Sequence, residues 1–72
     1  MIVYSLKLFR DRLAKLFATV GEDQVYFNQM LENINEGLGN DALFGSAEAA
    51  AACQVMSDDN ELMVSDGIVY RI

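Results

Sequence analysis

A chain of 72 residues provides one small domain. Hydrophobic residues make up 53% and charged residues 22%, which is typical of a globular domain and excludes an intrinsically disordered one. The net charge of −6 argues against autonomous nucleic-acid binding, because such binding depends largely on Lys and Arg neutralising phosphates. The basic residues are Lys7, Arg10, Arg12, Lys15 and Arg71.

The composition also argues against most catalytic and metal sites. Cys53 is the only cysteine and there is no histidine, so disulfides, cysteine-ligated zinc and histidine-based catalysis lack their ligands. The acidic cluster Asp58, Asp59 and Glu61 does not have the spacing of a calcium loop and predicts a solvated turn. We therefore expect no cofactor, no enzymatic activity, no membrane span and an intracellular, reducing compartment.

Residues 3–20 are predicted to form an amphipathic helix that ends at Gly21. Its apolar stripe contains Leu6, Phe9, Leu13, Leu16, Phe17 and Val20. Four of the cations occupy the remaining surface: Lys7, Arg10, Arg12 and Lys15. They are either a docking surface or, more simply, the solvated side that any amphipathic helix carries.

The middle of the chain predicts a very short strand over residues 24–26 and a second helix over residues 28–36. The apolar spacing of this helix is given by Met30, Leu31 and Ile34. Glycines and an Asn-Asp pair interrupt the chain at residues 37–41. Leu43 and Phe44 follow, and we expect both to enter the core.

Residues 46–57 are predicted to form the third helix. Ser46 is the expected N-cap and Glu48 is favourable in the first turn. Its packed side is expected to contain Ala52, Cys53, Val55 and Met56. This helix has no Lys or Arg, so it is suited to packing against protein.

The C-terminal segment predicts a hairpin with strands at about 61–65 and 68–72. Asp66-Gly67 between two apolar runs is typical of a type I′ turn, in which both central residues have positive φ. Alternation then separates a face with Met63, Tyr70 and Ile72 from a face with Val64 and Val69. We predict that the first face covers the helices, which leaves Val64 and Val69 as an apolar pair for a partner. Alternatively, both faces are partly covered.

The predicted order is helix, short strand, helix, helix and hairpin, which is the order of a winged helix. The fold class is α+β and mostly helical. In DNA-binding proteins of related architecture, the third helix enters the major groove.

Residues 55–72 resemble the extreme C-terminus of subunit three of the eukaryotic minichromosome maintenance (MCM) replicative helicase. The most specific part is Met63-Val-Ser-Asp-Gly-Ile68, and Met56-Ser-Asp-Asp-Asn60 is also similar. The likeness extends to Glu32-Asn-Ile-Asn35 and to Leu43-Phe44-Gly45, a connection similar to that of fungal members of the family.

This resemblance implies a nuclear, C-terminal winged-helix domain separate from the AAA+ ATPase and without catalytic residues. It implies recruitment of the helicase to the origin recognition complex with its loading ATPase during replication licensing, and stimulation of their ATP hydrolysis. Other MCM subunits would be reached through the ATPase region, and the isolated domain would be monomeric. With the exposed apolar pair included, the candidate partner-binding residues are Val64, Ser65, Asp66, Gly67, Val69, Arg71 and Ile72.

Two alternatives belong to other functional classes. The first is a DNA-binding module that contacts origin DNA, for which the third helix and the wing supply only Arg71 as a cation. The second is a structural module that packs on the helicase ring and regulates it. Affinity for the ring's own subunits, without affinity for the licensing proteins, would identify that module.

Overall fold

The computed structural model of the chain describes residues 3–72. It has three helices, a short 3-10 turn at Asn40–Ala42 and one three-stranded sheet. In chain order the elements are α1 (Val3–Val20), β1 (Gln24–Tyr26), α2 (Phe27–Asn35), α3 (Ser46–Asp58), β2 (Leu62–Ser65) and β3 (Ile68–Arg71). The order confirms the predicted winged-helix fold.

Helix α1 has the predicted bounds and buries its apolar stripe. Phe9, Leu13 and Phe17 are almost fully buried, whereas Val20 at the end of the stripe is 45% exposed. Gly21 adopts a φ of +70° and its N–H donates to the Phe17 carbonyl at 3.0 Å. This left-handed residue ends the helix as predicted.

Helix α2 begins one residue earlier than predicted and also ends one residue earlier. Tyr26 is the extended residue that precedes it, and the N–H of Phe27 is engaged by the Gly67 carbonyl at 2.8 Å. The short strand therefore leads directly into the helix. Met30 and Ile34 are buried and Leu31 is half-buried, as their spacing predicted.

The loop after α2 places one of its two apolar residues in the core. Phe44 is 5% exposed and its ring meets that of Phe9 edge to face, with centroids 5.4 Å apart. Leu43 is 44% exposed, so its predicted burial is wrong. Its backbone is extended, and successive side chains of an extended segment point to opposite sides.

Helix α3 differs from the prediction at its cap and on its packed side, and it is one residue longer. The cap is Gly45, whose N–H donates to the Glu48 carboxylate at 3.2 Å; Ser46 is already helical. Val55 is 39% exposed. The buried residues are Ala49, Ala52, Cys53 and Met56, which follow the three- and four-residue spacing of one helix face and exclude Val55.

The sheet has the strand order β1-β3-β2 and is antiparallel throughout. Asp66 and Gly67 have φ values of 53° and 75°, and Val64 pairs with Val69, as the type I′ turn predicts. Strand β1 adds to the hairpin through β3, where Val25 pairs with Val69. β3 is therefore the central strand.

The face of the hairpin that packs against the helices is the opposite of the predicted one. Leu62 and Val69 are buried, whereas Met63 is 49% exposed and Ile72 is 75% exposed. The reason is β1, which adds Val25 to the side of Leu62 and Val69. Leu62, Val69 and Val25 therefore form an apolar face across three strands that covers the core, whereas Val64 on the same face remains exposed.

Candidate partner-binding surface on the wing

The wing, residues 62–71, carries most of the predicted partner-binding residues at its solvent-exposed tip. Val64 is 44% exposed, and the turn that follows it is exposed throughout. Beyond the wing, Ile72 is also exposed. Val69 is fully buried in the central strand, so its predicted exposure is wrong and its side chain is not available to a partner.

Arg71 is exposed but takes part in two contacts within the domain. Its Nε donates to the Asp23 carboxylate at 3.1 Å, and its guanidinium lies over the ring of Phe17, 5.4 Å from the centroid. Its backbone N–H also donates to the Asp23 carbonyl. Arg71 therefore holds the turn before β1 against β3 and α1.

Arg10 joins α1 to the segment that enters β2. Its Nη2 lies 2.8 Å from the Glu61 carboxylate and 3.3 Å from that of Asp59. Two members of the acidic cluster thus contact an arginine. Within residues 3–72, no group of three acidic or cysteine side chains is arranged to hold a metal ion.

Arg12 binds the C-terminal end of α2. Its Nη1 donates to the carbonyls of Ile34 at 3.0 Å and Glu36 at 2.8 Å. The last carbonyls of a helix have no partner within the helix, so a cation there satisfies them and complements the helix dipole. Sequence reasoning missed these arginine contacts because the partners are 22 to 54 positions away.

Three arginines are therefore engaged inside the domain, and α3 contributes no cation. Its solvent side is formed mostly by small and uncharged residues, with the carboxylates of Glu48 and Asp58 near its ends. Phosphate binding at the third helix lacks the required charge.

Three open depressions are lined by residues of the wing together with residues of β1 and the helices, and we call them the wing groove. The first is lined by Val20, Glu22, Tyr26, Gln29 and Ile68. The second is lined by Tyr26, Phe27, Val64 and Gly67, and the third by Phe27, Ala50, Cys53, Met63 and Val64. The depressions share lining residues: Tyr26 lines the first two, and Phe27 and Val64 line the second and third.

Sequence reasoning identified only part of this groove. Val64 and Gly67 were among the candidates, whereas Tyr26, which is 63% exposed, was not. Alternation along β1 was the available signal, since it places Tyr26 and Val25 on opposite faces.

Cys53 lies beneath the third depression and is 2% exposed. Burial raises the pKa of its thiol to about 11, because the surroundings disfavour the thiolate. A thiol with a raised pKa is a poor nucleophile, so Cys53 acts as a packed core residue.

Comparison with known proteins identifies the family. The profile of the MCM3-like winged helix domain matches residues 5–72. The chain belongs to the MCM3-like winged helix domain family. This assignment agrees with the helix order, the wing hairpin and the resemblance of the C-terminal segment.

Curated relatives support the assignment. The zygotic DNA replication licensing factor mcm3 of Xenopus laevis is 37% identical over 67 residues, and the DNA replication licensing factor MCM3 of Gallus gallus is 34% identical over the same length. Each alignment covers 93% of this chain and 8% of the relative. The MCM3-like winged helix domain is thus a small part of those proteins and is distinct from an ATPase domain. Within residues 3–72, no helix is both long and apolar enough to cross a bilayer.

Proposed function

We propose that this domain is a non-catalytic protein-interaction domain of a replicative helicase subunit. It recruits the helicase to the origin recognition complex with its loading ATPase during replication licensing, and it stimulates their ATP hydrolysis. It acts in the nucleus as a monomeric module without a cofactor, and other MCM subunits are reached through the ATPase region. The observation that carries this proposal is an acidic domain whose arginines are engaged internally while its wing exposes apolar side chains.

The charge distribution favours a protein partner over DNA. Arg10, Arg12 and Arg71 contact groups of the same domain, which leaves Lys7 and Lys15 as the cations without such a contact within residues 3–72. Both lie on α1 and neither belongs to the third helix. Acidic surfaces attract basic protein surfaces and accelerate their encounter.

Exposed apolar residues of the wing and of β1 supply contact area for that partner. Tyr26, Met63 and Val64 are each at least 44% exposed and line the wing groove. Aromatic and methionine side chains are enriched in protein–protein interfaces. Their grouping along the wing groove favours this surface over the rest of the domain.

The test is capture of the origin recognition complex with its loading ATPase by the immobilised domain, together with their ATP hydrolysis. We expect Val64→Glu to reduce both capture and stimulation, because it places a charge in the apolar groove. Leu43→Glu is the matched control, since Leu43 is equally exposed but lies in the loop after α2. Equal loss in both variants, or no capture by the parent domain, would contradict the proposal.

A DNA titration at low salt distinguishes the alternatives. We expect no saturable binding by the parent domain. Tight binding that weakens when Lys7 and Lys15 are changed to Gln would instead identify a DNA-binding module. Capture of ring subunits without capture of the licensing proteins would identify a structural module that regulates the ring.

A further inference from the structure

We propose that the first depression of the wing groove is a pocket for a basic side chain, arginine or lysine, of a protein partner. The inference rests on the proposed protein-interaction function and specifies the chemistry of the residue that the wing binds. The pocket combines a carboxylate from Glu22, an aromatic ring from Tyr26 and aliphatic walls from Val20 and Ile68.

Four of the residues that line the pocket come from α1, the turn after it, β1 and β3. Val20 ends α1, Glu22 lies in the turn after it, and Tyr26 ends β1. Ile68 lies directly opposite Tyr26 in the sheet because the two residues are paired in register. The β1–β3 pairing therefore brings residues 42 or more positions apart into one depression.

The size of the pocket suits a single side chain. Its volume is about 170 Å³, below the roughly 300–1,000 Å³ of pockets that enclose drug-sized ligands. It is an open depression and shares the lining residues Tyr26 and Gln29 with the second depression of the wing groove. A partner segment could lie along the groove while one residue occupies the pocket.

The charges select a cation. Glu22 is exposed and, within residues 3–72, has no ion-pair partner, whereas neighbouring Asp23 is already paired with Arg71. Glu22 and Tyr26 line the same pocket, and a guanidinium or ammonium bound there is attracted by a carboxylate through Coulomb interaction and by an aromatic ring through cation–π interaction. Val20 and Ile68 would contact the aliphatic stem of such a side chain, as long basic side chains bury their methylene groups.

The first experiment titrates the 15N-labelled domain with capped Ala-Arg-Ala and, as a neutral isostere, capped Ala-citrulline-Ala. We expect the arginine peptide to shift the amide signals of Glu22, Tyr26 and Ile68 and the citrulline peptide to leave them unchanged. Glu22→Gln should remove the response. Glu32→Gln is the control, because it neutralises an exposed carboxylate on α2 instead, and it should retain the response. Equal responses to both peptides, or no response at these residues, would overturn the proposal.

The second experiment repeats the capture of the licensing proteins with variants of Glu22 and, as the control, Glu32. We expect capture to be about fivefold weaker for Glu22→Gln, the upper range for an exposed ion pair, and weaker still for Glu22→Lys. Glu32→Lys should capture like the parent domain. The effect of Glu22→Gln should diminish at high salt, because ions screen exposed charges.

The two experiments separate this inference from the function on which it rests. If the parent domain captures the licensing proteins but Glu22→Lys captures them equally, the basic-residue pocket is wrong and recruitment stands. If the arginine peptide binds at Glu22 and Tyr26 but the licensing proteins are not captured, the pocket stands and their recruitment is wrong.

Discussion

Asn35 and Phe44 exchange two hydrogen bonds that attach the loop after α2 to the end of that helix. The Asn35 Nδ2 donates to the Phe44 carbonyl at 3.0 Å, and the Phe44 N–H donates to the Asn35 Oδ1 at 2.7 Å. One amide side chain thereby satisfies both backbone groups of a residue whose ring is in the core. This contact allows the loop to insert Phe44 without leaving its backbone polar groups unpaired.

Asn35→Ala should therefore lower the free energy of unfolding by about 1–3 kcal/mol, since two partly buried backbone groups would lose their partner. Asn33→Ala is the control, because the Asn33 side chain bonds only to the Gln29 carbonyl in its own helix. Chemical denaturation of both variants checks the prediction. A similar midpoint for the two variants would contradict it.

Two adjacent residues of β2 test which face of the wing is buried. Leu62→Ala should lower the free energy of unfolding by about 2–5 kcal/mol, because it leaves a cavity against the core. Met63→Ala should cost far less, since Met63 is about half exposed. Thermal melts of the two variants provide the comparison, and the reverse order would mean that the other face covers the helices.

Two glycines test the conformation of the wing turn. Gly67 and Gly39 both have open space where a Cβ would be added, but only Gly67 has a positive φ. Gly67→Ala should reduce stability by about 1 kcal/mol, because an L side chain disfavours that conformation. Gly39→Ala should be neutral or stabilising by up to about 1 kcal/mol through reduced freedom of the unfolded chain. Equal effects would rule out a turn that depends on φ at residue 67.

The buried thiol of Cys53 should react slowly. A pKa raised from 9.0 to about 11 leaves about a hundredfold less thiolate at pH 8, so alkylation by iodoacetamide should be slower by about that factor than for the unfolded chain. Mass spectrometry over time measures the rate in native and denaturing buffer. Equal rates in the two buffers would contradict the burial of the thiol.

The same raised pKa makes stability depend on pH. The folded state holds the thiol proton more tightly than the unfolded state, so this contribution to stability is complete below pH 9 and is lost as the pH rises toward 11. Cys53→Ala removes the titration. The difference in unfolding free energy between parent and variant should shrink or change sign across that range, and a constant difference would exclude the linkage.

The helices and the turn were predictable because their signals are local. The spacing of Phe9, Leu13 and Phe17 defines one helix face, and Asp66-Gly67 satisfies the positive φ values of a tight turn. The hairpin register follows from that turn, since a two-residue loop leaves a single way to pair the strands. These features depend on neighbours within a few positions and were confirmed.

The buried face of the wing was not predictable from the hairpin alone, because both faces carry apolar residues. Val25, contributed by β1 more than forty positions before its partner Val69, decides the outcome by completing an apolar face over three strands. The predicted burial of Leu43 and Val55 was wrong for a related reason. Hydrophobicity identifies candidates for the core, but the direction in which the backbone points each side chain decides which of them are buried.

The sequence by itself determined the winged-helix order, the wing turn and the acidic balance that disfavours DNA, all of which depend on composition or local conformation. Only the tertiary structure decided which groups the charged side chains contact. Arg12 caps a helix 22 positions away, Arg10 reaches an acid 49 positions away, and Glu22 is left beside Tyr26 and Ile68. These pairings depend on how the chain packs in three dimensions, and so the candidate pocket becomes visible only in the folded domain.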